Sequence, residues 1–175
     1  MTGQKAGHSL EARSQVKRLK DALDDLYIRA DPRQVTDPEI AGDLARYLCV
    51  RVSGYLEQAT AIILRGHCSK YSYGNVQQFA MSWLDRAPNL SIDALVKLVR
   101  RFNNQIANEL EEYLTEEERG SSLNSLIGLR NDIAHGRQQG MSREQAWQYF
   151  GVVESVVEWL LERFDPIAAV VAKGS

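Results

Sequence analysis

Along most of this chain the apolar residues return every three or four positions, a spacing that suits a helix and not a strand. A chain patterned this way buries its apolar stripes by packing helix against helix. Five stripes stand out: Val16, Leu19, Leu23, Leu26; then Leu44, Leu48, Val52, Tyr55, Ala59, Ile62; then Ile92, Leu95, Val99, Phe102. The fourth is Leu123, Leu126, Ile133 with Ile127 and Ala134 alongside, and the fifth is Ala146, Phe150, Val153, Val157, Leu160, Phe164. The third can run on through Ile106 and Leu110, past a weak point at Asn103-Asn104, and a shorter helix is predicted around Val76 to Leu84.

Punctuation agrees with the pattern. Three of the 4 prolines follow an aspartate, in Asp31-Pro32, Asp37-Pro38 and Asp165-Pro166, where helices begin or end. Ser142 with Gln145, and Thr115 with Glu118, have the spacing of capping boxes. The segments Arg65 to Asn75 and Gly136 to Met141 read as irregular. No run alternates with period two, and no repeat or low-complexity tract is present. The expectation is therefore all-α: an antiparallel helical bundle of about five to six helices. A length of 175 residues suits a single domain over 1–175, with 1–8 and 167–175 expected as flexible tails.

Charge narrows the function classes. With 21 basic and 23 acidic residues the net charge is -2, so a contact with RNA has to be local. Cys49 and Cys68 are too few for a disulfide framework and fit a reducing, cytoplasmic setting. Residues 1–7 lack the apolar core of a secretory leader, and no apolar run is long enough to cross a bilayer. His67 and Cys68 are sequence neighbours that point in different directions, so no metal is expected. No glycine-rich phosphate loop follows a strand, which excludes nucleotide hydrolysis by the usual P-loop route, and no cofactor is expected.

One segment resists the helical pattern. At about 100° per residue, Arg130 falls in the middle of the stripe formed by Leu123, Leu126, Ile127, Ile133 and Ala134. A guanidinium cannot shed its charge, so this position calls for an acidic partner, a wet cleft or an anionic ligand. Asn131 and His135 share a neighbouring flank, Asp132 falls on the far side, and Gly136 offers a left-handed cap. A plain structural account exists: a histidine in a last turn complements the helix dipole, and a buried arginine pairs with a glutamate.

The segment Leu129-Arg130-Asn131-Asp132-Ile133-Ala134-His135-Gly136 resembles the signature of the HEPN superfamily, an arginine, a polar residue, three more positions and a histidine. It looks most like the RiboL-PSP group. It departs from the toxin group that carries a tyrosine two residues after the histidine, because Arg137 stands there. The resemblance implies a metal-independent endoribonuclease, dimerising through its motif-bearing helices so that both motifs line one cleft, with roles in toxin-antitoxin systems, stress or phage defence. It makes Arg130, Asn131, Asp132 and His135 the candidate catalytic set: His135 moves protons near neutral pH, Arg130 holds phosphate, Asn131 orients and Asp132 supports. The implied partners are RNA, a second copy of the chain, and an antitoxin or defence-system protein. The competing readings are a non-catalytic HEPN-like module that binds RNA, nucleotide or a protein, and a plain helical scaffold.

Other features carry weaker signals. Arg13, Lys17 and Lys20 line one side of the first helix, and residues 1–20 hold five basic side chains against one acidic, either an RNA-steering face or a solvated one. Arg51 and Arg137 are further candidate phosphate contacts. Glu57 and the cluster Glu109, Glu111, Glu112, Glu116, Glu117, Glu118 read as surface.

Overall fold

In the computed structural model the described residues are 3–84, 90–137 and 140–165, with the backbone alone described for 3–10. Among the described residues seven α-helices follow one another: α1 (Gly3–Arg29), α2 (Pro38–Tyr71), α3 (Gly74–Leu84), α4 (Ile92–Phe102), α5 (Asn104–Thr115), α6 (Arg119–Ala134) and α7 (Arg143–Phe164). A 3-10 turn, Glu116–Glu118, joins α5 to α6, and no strand occurs among the described residues. α1 begins inside the segment read as an N-terminal tail. Residues 1, 2 and 167–175 of the expected tails lie outside the described residues.

The stripes become helices because local chemistry closes their ends. Asp37 accepts the amides of Glu39 and Ile40 at 2.8 and 3.3 Å, with Pro38 opening α2. Ser142 accepts from the Gln145 amide at 3.1 Å while the Gln145 side chain accepts from the Ser142 amide at 3.0 Å, so the capping box of α7 is present. Asn103 divides the third stripe. Its backbone is extended (φ -160°, ψ 122°), its amide closes α4 onto the Val99 carbonyl, and its side chain caps α5 through Gln105 and Ile106. This division brings the helices to seven.

α2 is the central element, packed along α1 and α7 and touching α6 and α3. Twelve of its residues are buried, among them Leu48, Val52, Ala59, Ile63 and Leu64 at zero exposure. Each such branched side chain contributes about 1.5–3 kcal/mol on leaving water. The expected antiparallel packing holds for α1 against α7, as the contacts Arg143 to Tyr27 and Arg13 to Asp165 show. α2 and α7 instead run parallel: Tyr55 meets Phe150 (5.7 Å between centroids) and His67 meets Phe164 (5.2 Å). No short turn joins these two helices, so nothing forces them to oppose.

Two local expectations are corrected. Arg65 to Tyr71 is helix, not loop, because tertiary contacts hold it: Cys68 is buried, His67 Nδ1 lies 3.0 Å from the Phe164 carbonyl, and a Cβ on Gly66 would come within 3.0 Å of the Ala12 Cβ. Gly66 therefore serves the close approach of α1 to α2. The turn comes later, at Gly74 (φ +60°). Thr115 and Glu118 do not form a capping box. The Thr115 hydroxyl donates back to the Glu111 carbonyl at 2.9 Å, and Glu117 and Glu118 take left-handed backbones (φ 51° and 53°) that turn the chain into α6. Among the described residues, no helix is long and apolar enough to cross a membrane.

Candidate functional site

α6 is anchored from its middle. Leu123 and Leu126 are wholly buried, and Leu129 and Ile133 pack partly against the core. Arg130 lies one turn beyond Leu126, on the same side, and is half-buried, as the wheel requires. Its Nη1 donates to Asn131 Oδ1 at 3.1 Å, so these two candidates are brought together. A charge kept at a half-buried position with an amide oxygen beside it is suited to meeting an anion from the open side.

The helix ends at Ala134, and His135 is its exposed C-cap residue (φ -89°, ψ 10°). The His135 amide bonds back to the Asn131 carbonyl at 3.0 Å. Gly136 then takes φ +72°, its amide reaches the Ile133 carbonyl at 3.0 Å, and the Arg137 amide reaches the Asp132 carbonyl at 2.9 Å. These crossed bonds form a Schellman motif, which satisfies carbonyls that the last turn leaves open. Because His135 caps the helix, the turn and not the helical wheel sets the direction of its imidazole.

Asp132 is half-buried, and its Oδ1 pairs with Arg137 Nη1 at 2.9 Å. The wheel sets Asp132 on the far side of α6, and the chain reversal at Gly136 supplies a partner that helix spacing hides. Arg51 is half-buried on α2 and donates to the Tyr47 hydroxyl at 3.3 Å. The four-residue spacing of Tyr47 from Arg51 is the sequence signal for this contact.

The basic side of α1 is largely committed elsewhere. Arg13 pairs with the buried Asp165 at 3.4 Å, Lys17 with Asp21 at 2.7 Å, and Lys20 with Glu154 at 2.5 Å. The hydrogen bond to Glu154 raises the Lys20 ammonium above its ordinary range. The Arg13 and Lys20 pairs tie α1 to α7 and its C-terminal cap, the Lys17 pair stays within α1, and all three neutralise the charge an RNA-steering face would need. Glu57 is also not simple surface: it is half-buried and accepts from the Leu90 amide at 3.3 Å. In the acidic cluster, Glu109 meets Arg163 at 3.0 Å and Glu111 meets Arg100 at 2.9 Å, while Glu112, Glu116, Glu117 and Glu118 are exposed. A cleft of about 480 Å³ lies at the other end of α6, near Gly120, Ser121 and Asn124, away from the Arg130 to His135 turn. Among the described residues no three of His, Cys, Asp or Glu stand together as metal ligands.

Comparison with known proteins adds one positive finding. No curated protein and no solved structure matches the chain. The sequence model of the RiboL-PSP-HEPN family matches residues 10–164, which run from within α1 to the end of α7 and include the whole Arg130 to His135 turn. With its helices and the greater part of its length accounted for in this way, the chain belongs to the RiboL-PSP-HEPN family.

Proposed function

We propose that this protein is a metal-independent endoribonuclease, a single helical domain that works as a cytoplasmic homodimer with one composite site. The observation that carries the reading is the helix end of α6, where a half-buried Arg130 sits beside Asn131 and one turn before an exposed His135. Family membership supports the fold on which such a site is built.

The chemistry follows from the residue types. RNA supplies its own nucleophile, the 2'-hydroxyl, so the protein has to move a proton and stabilise charge on phosphate. An imidazole accepts the hydroxyl proton or donates one to the departing 5'-oxygen. A guanidinium never loses its charge and binds phosphate through two N–H groups at once. His135 is assigned the proton transfer, Arg130 the phosphate, Asn131 the orientation of Arg130, and Asp132 a supporting place. A second copy of α6 facing the first would enclose the exposed His135 and supply two arginines to one cleft. Toxin-antitoxin biology, stress response or phage defence is the setting this reading favours, with an antitoxin or defence-system protein as partner.

The test is direct. Purified protein in EDTA cleaves single-stranded RNA, and the Arg130→Ala and His135→Ala proteins do not. Equal cleavage by wild type and His135→Ala removes the reading. Absence of cleavage together with RNA or protein binding favours the non-catalytic dimeric module, for which the Arg130 to Asn131 bond is structural. Sedimentation at micromolar concentration should give a dimer, and a stable monomer counts against the composite site.

A further inference from the structure

We infer that Arg137, acting through Asp132, is a positioning residue for His135. This rests on the nuclease reading for its consequence, while the geometry stands apart from it. Residue 137 engages residue 132 twice: its amide donates to the Asp132 carbonyl at 2.9 Å, and its Nη1 donates to the Asp132 carboxylate at 2.9 Å. His135 lies inside the five-residue span that these two bonds close. On a continuing helix, residues five apart are separated by about 140° around the axis, and their side chains do not meet. The ion pair therefore exists only because the chain reverses at Gly136, and it holds that reversal shut from the side-chain face.

His135 needs such a restraint. It is exposed, so core packing does not hold its imidazole, and its backbone sits at the cap with its amide bonded into α6. Its place relative to Arg130 is set by the turn, and among the described residues the turn is held by the crossed amide bonds and the Asp132–Arg137 pair. The pair is open to water, Arg137 at 71% and Asp132 at 30% side-chain exposure. Exposed pairs add little to global stability, so removing this one leaves the bundle folded while it loosens the turn. That makes the role separable from a structural one.

A different role for Arg137 is direct phosphate contact, and the two roles make opposite predictions for Asp132. If Arg137 binds RNA, Asp132 competes with the phosphate, and Asp132→Asn frees the guanidinium. If Arg137 positions the turn, Asp132→Asn breaks the lock as surely as Arg137→Gln does.

The experiment measures single-turnover and steady-state cleavage of a single-stranded RNA in EDTA for wild type, Asp132→Asn, Arg137→Gln and the reversed pair Asp132→Arg with Arg137→Asp. Amide exchange at Gly136 and Arg137 and the His135 ring signals are followed by NMR. The expected result is a fall in kcat of about three- to tenfold in both single variants. KM and Tm should change little, exchange at both amides should quicken, and the reversed pair should recover at least half of kcat. A raised KM in Arg137→Gln, with unchanged or improved cleavage in Asp132→Asn and no recovery in the reversed pair, overturns the inference in favour of phosphate contact. If wild type cleaves no RNA, the nuclease reading falls by itself. The NMR arm then decides this inference: amide exchange and His135 ring signals unchanged in both single variants overturn it, and altered ones sustain it.

Discussion

The same substitution at two glycines of the α6 segment should have opposite effects on stability. Gly136 has φ +72° and Gly128 lies inside the helix, and a Cβ built on either meets nothing within 4 Å. Packing is thus removed from the comparison, and only the backbone speaks. An alanine at position 136 must hold a left-handed conformation that costs an L-residue about 1–2 kcal/mol. Its smaller unfolded ensemble returns about 0.4–1 kcal/mol, leaving a net loss near 1 kcal/mol. An alanine at position 128 gains about 0.5–1 kcal/mol over glycine in a helix interior. The two variants should therefore differ by about 1.5–2 kcal/mol and lie on opposite sides of wild type. Urea unfolding followed by far-UV circular dichroism, at one protein concentration so that association is held constant, reads this directly. With a slope of about 2 kcal/mol/M, the midpoints should separate by roughly 0.8–1 M. Gly151, exposed on α7 with the same open surroundings, should behave as Gly128 does. A Gly136→Ala protein as stable as wild type, or a shift of the same sign at 136 and 128, would refute the reasoning.

Three further outcomes are expected. Ser142→Ala removes the hydroxyl half of the capping box on α7 and should cost about 1 kcal/mol, seen as a fall in Tm of about 2–4 °C. Phe164→Ala empties a site that is 1% exposed and walled by the rings of His67 and Phe102. A loss of about 3–5 kcal/mol is expected, large enough to shift the urea midpoint by more than any cap variant. Burial pushes the Cys49 thiol from 9 up to about 11, because the thiolate is disfavoured inside the bundle. The folded state then holds its proton where the unfolded state has lost it, so this contribution is complete below pH 9 and disappears as the pH rises towards 11. Melting temperature against pH over that window should fall less steeply in Cys49→Ala. An equal slope in the two proteins would remove Cys49 as a cause.

Much of the fold was legible before any coordinates because its causes are local. The apolar stripe from Ala146 to Phe164, the Ser142–Gln145 box that opens it and the Asp37-Pro38 start of α2 are interactions between residues at most a turn apart. Arg130 was legible for the same reason: one helical wheel exposes a guanidinium on an apolar face, and the structure finds it half-buried one turn past Leu126.

What only the tertiary structure decided depends on residues far apart in sequence or on a chain reversal. Gly66, His67 and Cys68 look like loop residues, yet Ala12 of α1 and Phe164 of α7 hold them in helix. Arg13 and Lys20 look like a free basic face until Asp165, which caps α7, and Glu154 within α7 are found opposite them. Asp132 points away from its neighbours on any wheel, and the left-handed Gly136 brings Arg137 back to it. The sequence alone determined which residue types end α6. The fold decided that His135 caps that helix in the open, with its turn held by a pair that helical periodicity could not show.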